Sequence, residues 1–279
     1  MTVRRGHGIL PGFGLSLGTS LLYLTLLVLV PLAGVALRGA TSSWEDIWRA
    51  ATSTRALASF RLSFLASLGA GAAIAAGGLL IAWVLVRYRF AGRSLLDALV
   101  DVPFALPTAV AGLALTAVYS AEGWVGRWLA PLGIRVAYAP AGVWLAMTFV
   151  GLPFVVRTVQ PVLAGMDAHL EEAASLLGAG RLQAFSRVIF PIILPALLTG
   201  FTLAVARALG EYGSIVFISG NLPLRTEIAP LLIVSRLEQY DYAGATALAL
   251  VLLLASFALL FATNVLQRWS VRRLGPAPG

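Results

Sequence analysis

Six stretches of this chain are each long and apolar enough to cross a bilayer, which confines its fold more than any other feature. A crossing helix takes about 20 apolar residues, because each advances about 1.5 Å through a hydrocarbon core roughly 30 Å thick. The stretches run about Leu15 to Leu37, Leu62 to Val86, Val102 to Ser120, Ala137 to Val156, Ile192 to Ile218 and Tyr242 to Leu266. Only the fifth carries ionisable residues well inside it, Arg207 and Glu211. The chain is 59% hydrophobic and 11% charged, with mean hydropathy +0.89, whereas soluble domains are roughly half apolar and a quarter charged. Backbone groups in lipid must bond within their own segment, so the expected fold is all-α, a polytopic membrane protein with six transmembrane helices. The first run is too long for the core of a cleavable signal peptide and is read as a retained helix.

An even number of spans places both termini on one side. With the termini inside, Arg4, Arg5, Arg87, Arg89, Arg93, Arg157, Arg181, Arg187, Arg268, Arg272 and Arg273 are cytoplasmic. Arg38, Arg49, Arg55, Arg61, Arg127, Arg135, Arg225 and Arg236 are then external, a bias of eleven to eight. Basic residues favour the cytoplasmic face, so both termini are expected there. The arginines sit in short groups at the ends of apolar runs rather than along one face, which argues against nucleic acid as a partner and for the lipid bilayer.

Several chemistries are excluded. There is no cysteine among the 279 residues, hence no disulfide, thiolate or sulfur-ligated metal. All twenty basic residues are arginine, and without lysine the Gly-Lys-Ser/Thr phosphate loop is impossible. No Gly-x-Ser-x-Gly, paired histidine or carboxylate dyad is present, and His7 and His169 stand without metal-ligand neighbours. The chain is therefore not expected to be an enzyme, and any ATP that drives it must be hydrolysed by a partner.

Packing signals lie inside the spans. Gly69, Ala73 and Gly77 recur every four residues, a spacing that lets helix backbones approach, towards either another helix of this chain or a partner subunit. Pro103 and Pro107 head the third span and Pro191 and Pro195 the fifth, where a missing amide costs least.

Between the fourth and fifth spans lies a polar island. Over Ala168 to Leu177 the residues Leu170, Ala173, Ala174 and Leu177 share one helical face, with Glu171, Glu172 and Ser175 opposite or beside it. Gly178 and Gly180 suit a helix end and a chain reversal. Leu182, Phe185 and Ile189 then form a second apolar face before Pro191 resets the path. The pattern predicts a helix, a turn and a helix.

Glu172-Ala173-Ala174, three residues, Gly178, nine residues, then Val188-Ile189-Phe190-Pro191 resembles the EAA motif of binding-protein-dependent ABC import permeases. The family's usual Ile-x-Leu-Pro ending is altered here with bulk and apolarity kept. The resemblance implies a type I ABC importer permease fold with a cytoplasmic coupling-helix hairpin, in which Glu171, Glu172, Ala173, Ala174, Gly178 and Pro191 couple the chain to a cytoplasmic ABC ATPase dimer. It also implies no cofactor on this chain, with ATP-Mg on the ATPase. A self-sufficient carrier or channel would leave residues 172 to 191 without a role.

Four further stretches, Phe104-Ala-Leu-Pro-Thr-Ala-Val-Ala-Gly112, Gly151-Leu-Pro-Phe-Val-Val-Arg-Thr-Val159, Ala206-Arg-Ala-Leu-Gly-Glu-Tyr-Gly-Ser214 and Leu237-Glu-Gln-Tyr-Asp-Tyr-Ala-Gly-Ala-Thr246, resemble the T-type permease subunits of bacterial sulfate/thiosulfate importers. Molybdate and tungstate permeases share the Gly-Glu-aromatic-Gly pattern; Tyr212, Ser214 and residues 238 to 242 tilt the reading to sulfate. The resemblance implies alternating access, a second homologous permease forming a heterodimer, and a periplasmic or surface sulfate/thiosulfate-binding protein. It divides the chain into residues 1–60 (cytoplasmic N-terminus, first span and outer loop), a permease core over 61–268 and a cytoplasmic tail over 269–279.

Ionisable residues within a span are costly and face the bundle interior or water. Arg207 and Glu211, four apart on one face, form either a neutralising ion pair or part of the anion path, and the two roles are compatible. With Thr108, Tyr212, Gly213, Ser214 and Asn221 they make up the candidate pathway, in which Gly210, Gly213, Gly220, Ser214, Ser219 and Asn221 offer neutral donors to a tetrahedral anion.

Overall fold

The computed structural model describes residues 12–41, 43–167 and 169–274, whose regular structure is entirely helical. Arg4, Arg5, Ala168 and the end of the tail lie outside the described residues.

Helices α1 (Phe13–Leu24) and α2 (Val30–Thr41) form one apolar rod through a π-turn at Thr25–Leu29. The Val30 amide bonds back to Thr25 O, just before Pro31, whose ring lacks a donor and would meet the carbonyl four residues earlier; the wider turn relieves both problems. The rod keeps most of its apolar side chains exposed and meets α14 near its end, where a Cβ on Gly39 would stand 2.0 Å from Leu250 Cδ1. A short amphipathic helix, α3 (Trp44–Thr52), follows, with Trp44 and Trp48 exposed.

Helix α4 (Thr54–Arg87) is 34 residues long, about 51 Å at 1.5 Å per residue. It starts before the expected Leu62 because Ser53 Oγ accepts the Ala56 amide at 3.3 Å and so caps the first turn.

The expected straight third span is broken. Helix α5 (Arg93–Ala105) meets α6 (Thr108–Tyr119) at 114°. Pro107 disfavours helical backbone at the residue before it, and Leu106 is extended at φ −81°, ψ 133°. Pro107 caps α6, whereas Pro103 lies inside α5 rather than at a helix start. After a short α7 (Gly126–Leu129), α8 (Pro140–Ala164) begins with proline at its first position and runs past the expected end at Val156.

The polar island holds α9 (His169–Leu176) and α10 (Arg181–Ala184). A second π-turn, Phe185–Ile189, joins α10 to α11 (Phe190–Leu209). The expected fifth span continues as α12 (Gly213–Ser219) only after a break at residues 210–212, and is followed by α13 (Ala229–Glu238) and α14 (Tyr242–Leu274). Among the described residues five helices are long and apolar enough to cross a membrane, and the bent α5–α6 pair makes up to six.

The core lies where α4, α8 and α11 pack together, around Ile74, Met147, Val155, Ile193 and Ala204. Close approach depends on glycines other than the expected stripe. A Cβ on Gly71 would stand 2.4 Å from Val205 Cγ2, and one on Gly200 2.7 Å from Val155 Cα. Of the expected stripe, Gly69 faces Trp144 of the same chain, while a Cβ on Gly77 would meet nothing within 4 Å. Periodicity alone does not rank neighbouring faces of a helix whose residues are nearly all small.

Candidate functional site

The island forms a hairpin, but its second arm differs from the expected separate helix. Residues Arg181–Leu209 run as one 29-residue helix through the π-turn, so Pro191 does not reset the path. The Phe190 amide reaches back to Phe185 O, and Pro191, which has no amide, follows at once. This is the same solution as at Pro31, and it makes the hairpin an extension of the fifth span.

The first arm ends as its sequence predicts. Ala179 N–H donates to Ala174 O at 3.0 Å across Gly178, whose φ is +81°, the closing bond of a helix that terminates in left-handed backbone. Gly180 N–H donates to Gln183 Oε1 at 3.1 Å and starts the second arm.

The faces are not as expected. Ala174 and Ile189 are buried, but Ala173 is exposed and Leu176 and Leu177 are each 89% exposed, with Leu182 beside them at 79%. The hairpin thus packs Ala174, Phe185 and Ile189 inward and carries its leucines exposed at the tip. Glu172 is exposed, its Oε2 3.1 Å from His169 Nδ1. Glu171 turns the other way and pairs with Arg87 at the end of α4.

The second candidate region is the α11–α12 break. Gly210 and Gly213, poor helix formers, flank Glu211, which is 1% exposed. Its Oε1 accepts both the Ser214 amide and the Ser214 hydroxyl at 2.9 Å, and its Oε2 lies 2.5 Å from Arg207 Nη1. The expected ion pair is present, and the carboxylate also caps α12. The Arg207 side chain remains 36% exposed.

Helix α6 packs its start against this break. A Cβ on Gly213 would stand 2.2 Å from Thr108 Oγ1, and one on Gly112 2.4 Å from Ser214 O. Thr108, Arg207, Glu211, Tyr212, Gly213 and Ser214 are therefore gathered in one place, with Tyr212 and Arg207 at its surface.

Asn221 is not among them. It follows α12 with φ +47°, receives its own partner in Ser219 Oγ through its amide, and donates Nδ2–H to Ser235 Oγ at 3.3 Å. Ser214 likewise spends amide and hydroxyl on Glu211, so these groups serve the fold rather than standing free as donors.

The ion pairs of three arginines are hidden in the sequence because their partners lie far apart along the chain. Arg157 on α8 bonds to Asp97, Asp101 and Gln160. Arg55 grips the buried Glu227 with two bonds of 2.7 Å, and Arg87 pairs with Glu171. Arg157 and Arg55 lay in the motif-bearing or arginine-rich stretches, but nothing local names their acids.

A broken-span bundle of apolar helices with a projecting hairpin has the make-up of a polytopic membrane protein. The family described as "Binding-protein-dependent transport system inner membrane component" matches residues 73–276, and the chain belongs to it. Among curated proteins, it is 48% identical to "Sulfate transport system permease protein CysT" of Escherichia coli (strain K12), over 95% of this chain and 96% of that one. It is 51% identical to the protein of the same name from Synechococcus elongatus, over 91% of each chain. Among solved structures it is similar to a bacterial ABC transporter involved in the import of the acidic polysaccharide alginate, with TM-score 0.72, 15% identity, and 91% of this chain and 93% of that one covered. The MetNI methionine ABC transporter in an inward-facing conformation gives TM-score 0.56 at 18% identity, over 82% and 99% of the two chains. The fold is that of ABC importer permeases, and the family and relatives make the chain an inner-membrane permease subunit of a transport system.

Proposed function

We propose that this chain is one of two permease subunits of an ATP-driven sulfate/thiosulfate importer working by alternating access. The observation that carries the anion path is the asymmetry of one ion pair. Glu211 is enclosed and saturated by Ser214 and Arg207, whereas Arg207 keeps part of its guanidinium at the surface. A free arginine would hold a divalent oxyanion too tightly to release it, and a half-neutralised one admits and passes it on, as conduction requires. The sulfate assignment rests on the relatives' names and on identity extending across nearly the whole chain.

The remaining parts follow from this reading. The exposed hairpin tip at Leu176, Leu177 and Leu182 seats on a cytoplasmic ATPase that binds ATP-Mg, so the hairpin and both termini are cytoplasmic. A distinct homologous permease completes the pathway, and an external binding protein delivers the anion. Helices α1 to α3, over residues 1–60, are an addition to the permease core of 61–268, and residues 269–279 form a cytoplasmic tail.

Radiolabelled sulfate uptake by the reconstituted complex tests this, with molybdate and thiosulfate as competitors. Removing Arg207 alone leaves Glu211 buried and uncompensated, so the decisive variant is the double change R207A/E211Q. Its assembly with the ATPase should persist while uptake falls at least about tenfold, the loss of one strong anion contact. Unchanged uptake removes Arg207 from the path, uptake without ATPase overturns the importer reading, and displacement by molybdate but not thiosulfate overturns the cargo.

A further inference from the structure

The coupling hairpin has an attachment to the bundle besides its covalent links to α8 and α11. Arg87, the last residue of α4, pairs with Glu171 of α9, and its guanidinium carbon lies 5.4 Å from the Trp83 ring centroid. Trp83 packs edge-on against Phe185 of the π-turn, with centroids 5.6 Å apart, and Phe185 meets Phe190 at 5.9 Å. One cation therefore touches the first hairpin arm directly and the second through an aromatic pair. Both side chains of the ion pair are largely withdrawn from solvent, at 24% and 34% exposure, so the pair is better protected from screening than a fully exposed one.

Resting on the coupling role proposed above, we infer that Arg87 is a positioning residue that locks α9 to α4, so that movement of the hairpin enters the bundle through α4 as well as α11. The covalent links alone, a short stretch after Ala164 on one side and the glycine turn at 178–180 on the other, would let α9 tilt between them without carrying α4 along. The Arg87 contact closes that hinge. Because α4 packs against both α8 and α11 along its buried face, force delivered to its end displaces the three helices as one body. Glu171 accordingly acts inside this chain, and ATPase contact is left to Glu172 and the exposed leucines.

The test is the number of anions imported per ATP hydrolysed by the reconstituted complex, for wild type, R87A, E171Q and the exchanged pair R87E/E171R. R87A and E171Q should assemble and hydrolyse ATP at rates within about twofold of wild type while imports per ATP fall at least about fivefold; the exchange, which rebuilds the ion pair but not the cation over Trp83, should raise the ratio at least about twofold above that of either single variant, as coupling of two contacting residues requires. E171Q, nearly isosteric, carries the test if R87A does not assemble. An unchanged ratio in E171Q, or singles that fail with an exchange that does not rescue, overturns the proposal. Each ratio is taken against wild type with the same cargo, so a wrong cargo lowers wild type and variants together, whereas a wrong joint leaves variants equal to wild type.

Discussion

Arg157 on α8 grips Asp101 on α5 through two parallel hydrogen bonds, Nε to Oδ1 at 2.8 Å and Nη2 to Oδ2 at 2.6 Å. The same guanidinium reaches Asp97 Oδ1 at 2.6 Å and Gln160 Oε1 at 2.7 Å. A planar fork matches a carboxylate in a way an ammonium does not, so one residue fastens α5 to the bundle just before the α5–α6 bend. R157K should keep the charge and lose the fork. Because Asp97 and Asp101 are 42% and 49% exposed, screening holds the loss to about 1–2 kcal/mol. A lowered thermal midpoint of the purified complex checks it, and R157L should lower that midpoint further by leaving two carboxylates unpaired.

Close approach of α6 and α12 gives a second prediction. A Cβ at Gly112 would stand 2.4 Å from the carbonyl oxygen and 2.8 Å from the Cα of Ser214. Backbone cannot rotate aside as a side-chain tip can, so G112A should cost about 1–3 kcal/mol and disturb the Glu211 cap beside it. G77A, where the added methyl meets nothing within 4 Å, should leave stability unchanged or raise it by up to about 1 kcal/mol through helix propensity. Thermal unfolding of the two variants side by side checks both; equal loss in both would refute the assigned packing faces.

What the sequence made legible follows from range. The hairpin was readable because Glu172, Gly178 and Pro191 lie within twenty residues and each acts locally, and so was the Arg207–Glu211 pair, one helical turn apart. The 114° bend was signalled by Pro103 and Pro107, yet apolarity continues across it, and hydropathy measures solvation rather than direction. The π-turns were invisible for a related reason: proline announces a missing donor without saying whether the helix stops or widens. Long-range pairs were hidden altogether. Arg55 and Glu227 are separated by 172 residues, and no periodicity connects them.

Gly178 offers a separation of backbone from packing. Its φ of +81° strains any residue with a Cβ, while the space around it is open within 4 Å. G178L should therefore cost about 1–2 kcal/mol in the turn alone, enough to favour a reoriented α9 with membrane insertion intact. Asn visits this backbone region more readily, so G178N should retain most ATP-driven uptake and G178L should lose it. Equal uptake by the two variants would show that the turn's handedness does not matter to coupling.

Pro191 is the most informative single change, because it governs the register between the hairpin and the span it drives. With no amide at 191 the helix widens, and the Phe190 N–H bonds to Phe185 O five residues back instead of four. P191A supplies the missing donor and removes the ring clash, so the π-turn can close into ordinary α-helix. One residue is then absorbed, turning α10 and α9 by about 100° about the axis of α11, the angle of one residue in a helix with 3.6 per turn. That rotation carries Glu171 away from Arg87 and Phe185 away from Trp83. The expected result is a variant whose fifth span is as stable as wild type or more so, since a helix gains a bond, while imports per ATP fall. Thermal unfolding and the import ratio measured on one preparation check it; a P191A complex that transports normally would mean that the π-turn persists without its proline or that the register is not used.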